Sequence, residues 1–110
     1  MIKIGLKARL HGIRPELAFA NVVLLGILIH RGVTMVLTHA LDGTHTRASI
    51  HYAGGAEDLV FIGNVEAAMK KQIHEEWVSS VGQDFDILFE DVGTANEHMH
   101  AEWQPKQPYK

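Results

Sequence analysis

Residues 49–58 have the sequence Ser-Ile-His-Tyr-Ala-Gly-Gly-Ala-Glu-Asp, and we expect this stretch to decide the fold. Gly54 and Gly55 predict a tight chain reversal, because glycine accepts the positive φ angles that such turns need. Two short strands flanking the reversal would bring His51 and Asp58 side by side. Each is a candidate metal ligand, and the alternatives are a hydrogen-bonded strand histidine and a turn carboxylate.

A second polar group, Glu97, His98 and His100, lies near the C-terminal end of the sequence. On a strand the two histidines would face the same side, because side chains alternate with a period of two. Glu97 would face the other side, unless it lies in a loop before the strand becomes regular or at a bulge. Three N/O ligands with one open position are typical of catalytic zinc sites, and a spare carboxylate can act as general base.

Together these two groups resemble the motifs of one peptidase family. Residues 49–58 match the pattern Ser-x-His-x-x-Gly-x-Ala-x-Asp, and residues 97–100 match acid-His-x-His. Both are similar to the zinc D-alanyl-D-alanine carboxypeptidases and L-alanyl-D-glutamate endopeptidases, which cut peptidoglycan stem peptides and share a Hedgehog-like fold. Residues 12–16, 42–45 and 84–86 are similar to the short phage and prophage members, so the resemblance covers nearly the whole chain.

The resemblance implies a role for each residue of the two motifs. It implies that His51, Asp58 and His100 bind Zn²⁺, that Glu97 is the general base for a metal-activated water, and that His98 assists the reaction. An exchange of roles between the two histidines of the second motif stays open, since side-chain alternation does not separate them.

Further residues have supporting roles by the same resemblance. In many relatives an upstream arginine helps to hold the oxyanion; Arg47 is the nearest arginine here, and His45 is the other candidate. Either residue would also be ordinary in a solvated loop. Ser49 is expected to support the site through its hydroxyl, and the alternative is a strand-edge serine. Tyr52 is expected to pack in the core or at the rim, and the alternative is that it lines the cleft.

Two more glutamates lie close to the motifs. Glu102 shares the predicted face of the two histidines, so it is a candidate to support the site and the alternative general base. Glu57 alternates away from Asp58, and we expect it to face solvent.

Composition narrows the class of protein. A chain of 110 residues predicts one domain, residues 1–103, followed by a tail, residues 104–110. The absence of cysteine excludes disulfides, cysteine–zinc sites and thiol catalysis. A net charge of −3 gives no indication of a nucleic-acid-binding surface, whereas eight histidines motivate the search for a metal site.

The apolar run 17–29 is shorter than the ~20 residues that span a bilayer, and it is preceded by Arg14, Pro15 and Glu16. We interpret it as a core helix with Pro15 in its first turn and Gly32 as its end. We therefore expect no secretion signal and no stable membrane association. The protein would be made in the cytoplasm and would act at the cell wall after release or as a virion component.

The remaining pattern predicts an α+β fold, with two main helices against a small, mostly antiparallel sheet. The second helix is expected from a cap at Asn64 to about Ser80, and residues 39–47 are expected to form a polar loop. The predicted strands are 33–38, 48–52, 57–62, 85–89 and 98–103.

The leading hypothesis for function is a zinc peptidase acting on peptidoglycan stem peptides. The alternative is a non-catalytic zinc-binding or wall-binding module of the same fold, and a hydrolase for a non-peptide substrate is a third possibility. The bond that is cut stays open, because both specificities share the same ligands and pocket shape decides between them. The oligomeric state also stays open.

Overall fold

Two helices pack on one face of a five-stranded sheet in the part of the chain that the computed structural model describes, residues 2–4, 15–41 and 55–105. The strands lie side by side in the order β1-β2-β3-β5-β4. The α+β class with two helices is therefore confirmed for the described residues. The elements are, in chain order, β1 (Ile2–Ile4), α1 (Pro15–Arg31), β2 (Thr34–Leu41), β3 (Ala56–Ile62), α2 (Ala67–Val81), β4 (Phe85–Glu90) and β5 (His98–Trp103).

The sheet is mixed, which corrects the prediction of a mostly antiparallel sheet. β1 runs parallel to β2, whereas the other three neighbouring pairs are antiparallel. The sequence does not reveal β1, because three residues carry too little of the alternation that identifies a strand. Its parallel pairing requires a long crossover connection, and α1 lies within that connection.

α1 begins and ends where the sequence predicts. Pro15 is its first residue, and Gly32 follows its last residue with a φ of 69°, a left-handed conformation that favours glycine. At its C-terminal end Arg31 Nε donates to Glu76 Oε1 of α2 at 3.0 Å, so a charged contact joins the two helices. Like α2, it lacks the length and apolar character needed to cross a membrane.

α2 begins later than the sequence predicts. Glu66 occupies the N-cap position and makes no side-chain capping bond, so Asn64 is not the cap. Ile73 and Trp77 are fully buried, and Trp77 Nε1 donates to the carbonyl oxygen of Ala20 at 2.9 Å. This bond satisfies the indole N–H inside the core and joins α2 to α1.

Three of the predicted strands agree with the structure to within one residue, and the predicted bounds of β5 match. β2 is longer than predicted, because residues 39–41 pair with β3 instead of forming a loop. The predicted strand 48–52 lies outside the described residues, as do residues 106–110 of the predicted tail.

The two faces of the sheet have opposite character. The helix-covered face is mainly apolar and buried, and it includes Met35, Leu37, Leu59, Met99 and Ala101. The other face, here called the open face, carries the alternate residues of β3 and β5. Its polar side chains include Asp58, His98, His100 and Glu102, and all four are only partly buried. The candidate site therefore lies on the open face.

Candidate functional site on the open face

One row of cross-strand neighbours brings three titratable side chains together. His39 of β2 opposes Asp58 of β3, and Asp58 opposes His100 of β5. Directly opposed residues in an antiparallel pair have Cβ atoms about 4.5–5.5 Å apart. The sequence predicts that Asp58 and His100 meet, but it misses His39, because the pattern assigns that residue to a loop.

His100 is held between two carboxylates. Its Nδ1 lies 2.7 Å from Asp58 Oδ1, and its Nε2 lies 2.8 Å from Glu102 Oε1. Ionised carboxylates only accept hydrogen bonds, so both ring nitrogens donate and the ring carries a positive charge. The hydrogen bond to Asp58 is the main cause that raises the pKa of His100 to about 9, and Glu102 adds to it against the opposing effect of burial.

Asp58 stays ionised despite partial burial. Burial acts to raise the pKa of Asp58, but the hydrogen bond and the charge of His100 outweigh it and lower that pKa overall. The charges of His98 and His39 lower it further, which shows that three histidines act on one carboxylate. The open face therefore holds an anionic centre surrounded by imidazoles.

His98 lies further along β5 and has partners of its own. Its Nδ1 is 2.7 Å from the carbonyl oxygen of Asn96, so this nitrogen is the donor. Its Nε2 is 3.1 Å from Glu90 Oε1 on the neighbouring strand. The bond to the Asn96 carbonyl is the main cause that raises the pKa of His98, with smaller contributions from Asp58 and Glu90.

Glu97 lies in the loop that precedes β5, where the pleat does not yet fix its direction. Its Oε2 accepts from Lys70 Nζ at 2.7 Å, and its Oε1 accepts from the backbone N–H of Gly93 at 3.0 Å. The hydrogen bond from Lys70 is the main cause that lowers the pKa of Glu97. This carboxylate is therefore ionised at neutral pH and is held at a defined place.

Two adjoining cavities open at these residues. The larger has a volume of 270 Å³, and its lining includes His39, Asp58, Glu97 and His98. The smaller has a volume of 140 Å³ and is lined by His39, Glu57, Asp58 and His100. A cavity of 420 Å³ beside Lys3 and Met69 is larger, but no histidine lines it. The titratable cluster, and not cavity size, identifies the candidate site.

Glu57 contradicts the expectation that it faces solvent, since its side chain is only 1% exposed. The predicted alternation of Glu57 and Asp58 is correct, but the face to which Glu57 points is the one that the helices cover. Asn21 Nδ2 of α1 donates to Glu57 Oε1 at 2.8 Å, whereas Glu57 Oε2 and Asn21 Oδ1 have no hydrogen-bond partner among the described residues. Burial is the main cause that raises the pKa of Glu57 to about 7. In the sequence, the asparagine within the apolar run 17–29 is the signal that a polar side chain lies in the core and needs a polar partner there.

The structure brings together part of the predicted site. Asp58 and His100 are in contact, Glu102 contacts His100, and Glu97 and His98 line the cavity beside Asp58. Within residues 2–4, 15–41 and 55–105, no group of three or more histidines and acids is arranged to hold a metal ion. The predicted third ligand, His51, lies outside these residues, and so do His45, Arg47, Ser49 and Tyr52. The zinc triad as a whole stays a prediction.

Glu57→Gln is expected to stabilise the metal-free protein above neutral pH. The pKa of Glu57 is higher in the folded state, so the wild type loses stability as the pH rises from about 4.5 to about 7. Each pKa unit is worth about 1.4 kcal/mol, so the gain at pH 8 is at most roughly 3 kcal/mol and vanishes near pH 4. Urea unfolding of both proteins at pH 8 and at pH 4 measures this difference in the free energy of unfolding. Glu75→Gln, at an exposed position, is the control, and a Glu57→Gln protein less stable than wild type at pH 8 would contradict the assignment.

Lys70→Gln is expected to raise the pKa of Glu97 towards its ordinary value, because the ammonium group that favours the carboxylate is removed. Carbon-detected NMR titration of the glutamate carboxyl groups measures this change. In the wild type the stability that Glu97 contributes is present above its ordinary pKa and is lost as the pH falls through the lowered one. Lys71→Gln, at the next and exposed position of α2, should leave the titration of Glu97 unchanged. Equal titration in the two variants would show that Lys70 does not control Glu97.

The comparison with known proteins adds no family to these observations, since neither a protein-family model nor a curated protein matches the chain. The resemblance described from the sequence therefore rests on the residues of its motifs. The function has to be argued from the charges, contacts and cavities of the open face.

Proposed function

We propose that this chain is a zinc-dependent peptidase that hydrolyses an amide bond in peptidoglycan stem peptides. The observation that carries the proposal is the contact between Asp58 and His100, which the two sequence motifs require and which lies beside the cavity lined by Glu97. The D-alanyl-D-alanine and L-alanyl-D-glutamate bonds are the two candidate substrates. The Hedgehog-like arrangement of the fold is part of the same proposal.

The donor chemistry of the open face fits a divalent cation. Asp58 and His100 offer one carboxylate oxygen and one ring nitrogen close together, and these are donor types that zinc accepts. Asp58, His100 and His51 would hold the metal, which when bound would polarise the substrate carbonyl and make water a stronger nucleophile.

The residues of the chain then have distinct tasks. A carboxylate oxygen of Glu97 takes a proton from water in the cavity, for which the ionised state maintained by Lys70 is required. The water oxygen forms a bond to the carbonyl carbon, the carbon–nitrogen bond breaks, and the proton passes from Glu97 to the leaving amine. Glu102, bonded to His100 Nε2, fixes the orientation of that ring.

The remaining predicted residues belong to the proposal by resemblance alone. His98 lines the cavity and would assist the reaction, whereas Arg47 or His45 would hold the oxyanion. Ser49 and Tyr52 would support the site or contact the substrate. The enzyme would reach its substrate at the cell wall after release from the cell or as part of a virion.

A non-catalytic module of the same fold is the second candidate, and one observation favours it. The acids and histidines of the open face satisfy one another, because His100 is bonded to two carboxylates and Glu97 to Lys70. Such a cluster could stabilise a surface that binds wall fragments or a virion protein.

Zinc binding at pH 7 is expected to release about one proton, because His100 is protonated there and a ligand imidazole must be neutral. Calorimetric titration of the full chain with Zn²⁺, in buffers of different ionisation enthalpy, measures the number. His100→Gln should lose both the zinc affinity and the proton release. His30→Gln, at an exposed position near the end of α1, should keep both. Zinc binding that persists in His100→Gln would remove this residue from the ligand set.

Glu97→Ala is expected to lower kcat/KM on purified muropeptides by roughly 10²–10⁴-fold while zinc affinity is kept, since a general base contributes about that much. Mass spectrometry of the digested muropeptides measures the activity and identifies the bond. Glu75→Ala, an exposed acid on α2, is the matched control. If zinc-loaded wild type and Glu97→Ala are equally inert towards muropeptides, the non-catalytic module replaces the enzyme as the better account.

A further inference from the structure

We propose that His39 is a further catalytic residue of the open face, whose imidazole N–H binds the carbonyl oxygen of the scissile amide as negative charge develops there. The inference deepens the proposed peptidase function and rests on it. It concerns a residue that the motifs do not contain and that only the arrangement of the strands brings to the site.

A β-bulge in β2 turns His39 to the open face. Before the bulge Met35 opposes Phe61 and Leu37 opposes Leu59, all on the helix-covered side. After it His39 opposes Asp58, so one extra residue, at position 38, has entered β2. Without this irregularity His39, two residues after Leu37, would share the face of Leu37 and point into the apolar core.

A side-chain hydrogen bond links the bulge to β3, the strand that carries the proposed metal ligand Asp58. Thr38 Oγ1 donates to the backbone carbonyl oxygen of Asp58 at 3.3 Å, which links the extra residue of β2 to the residue that binds His100. Ala40, the residue after His39, returns to the core side. The irregularity is therefore confined to one position, and its main effect is to place one imidazole beside Asp58. Bulges that re-aim a side chain in this way are over-represented next to active sites.

His39 has the position and the chemistry for this role. It lines both the 270 Å³ cavity, which also contains Glu97, and the 140 Å³ cavity, which also contains His100. Its side chain is exposed, and no hydrogen bond to its ring occurs among residues 2–4, 15–41 and 55–105. An imidazole has at least one N–H donor in either protonation state. The ring borders the two cavities that Glu97 and the Asp58–His100 pair also line, and the reacting carbonyl would lie there.

Placing a donor where charge develops is an effective use of a single side chain. A hydrogen bond that strengthens as the carbonyl oxygen becomes an oxyanion lowers the barrier and has little effect on substrate binding. Removing one such donor is expected to lower kcat by roughly 10²–10³-fold. The loss should therefore appear in kcat and not in KM.

The test compares His39→Ala, His39→Gln and wild type, each as the full chain loaded with zinc, on purified muropeptides. His39→Ala should lose roughly 10²–10³-fold in kcat with KM within about threefold. His39→Gln keeps an N–H donor and should recover part of that loss. A zinc titration against a chelating dye should give the three proteins the same affinity within about threefold, because His39 is assigned to the substrate and not to the metal. His30→Gln is the matched control, since it changes another exposed histidine away from the cavities.

Each outcome bears on the assignment. An active wild type with a His39→Ala variant of equal kcat would overturn the role of His39 and leave the proposed function standing. Loss of zinc affinity in His39→Ala would also overturn it, because His39 would then be a metal ligand. An inactive zinc-loaded wild type would overturn the proposed function and this inference together. Circular dichroism and thermal unfolding show whether the fold of His39→Ala is intact, and His39→Gln supplies the same comparison if it is not.

Discussion

The hydrogen bond between His100 Nδ1 and Asp58 Oδ1 joins two side chains that are 42 positions apart in the chain. It forms because β3 and β5 are direct neighbours, and the core fixes their register: Leu59 opposes Met99, and both are fully buried. A slip of one residue would turn every side chain of a strand to its other face. It would expose those apolar residues and bury an acid and an imidazole. The apolar residues between the polar ones therefore determine where the site lies.

The same alternation gives two consecutive acids opposite behaviour. Glu57 points to the helix-covered face, where burial raises its pKa to about 7, whereas Asp58 points to the open face, where His100 lowers its pKa. When Glu57 is protonated, negative charge is removed from behind Asp58, and β3 carries one ionised acid instead of two. A protonated Glu57 also has an O–H group to donate, whereas the carboxylate would leave a charged oxygen buried without a partner. The unpaired Glu57 Oε2 is thus better accommodated in the neutral acid than in the carboxylate.

The elements of this arrangement that have a strong local sequence pattern could be predicted from the sequence. α1 and β5 are predicted well, because Pro15 and Gly32 bound the helix and the alternation of residues 98–103 is regular. The orientation of Glu57 could not be predicted, since alternation separates it from Asp58 without saying which face the helices cover. His39 could not be predicted either, because a bulge leaves no signal in a polar segment. β1 is too short to recognise, and its parallel pairing depends on the path of the whole chain.

The periodicity of β5 assigns its two histidines to the same face and does not distinguish their roles. Their contacts do distinguish them. His100 directly opposes Asp58 and lies 2.7 Å from it, whereas His98 is one diagonal step away and has Asn96 and Glu90 as partners. Diagonal neighbours in a sheet have Cα atoms about 7–8 Å apart, further than those of a directly opposed pair. Each imidazole ring has a second hydrogen-bond partner that orients it, so orientation alone does not decide which of the two histidines would bind a metal ion. Proximity to Asp58 decides it: a cation bound by Asp58 and one histidine of this strand would be bound by His100. His98 would then be able to contact what occupies the 270 Å³ cavity.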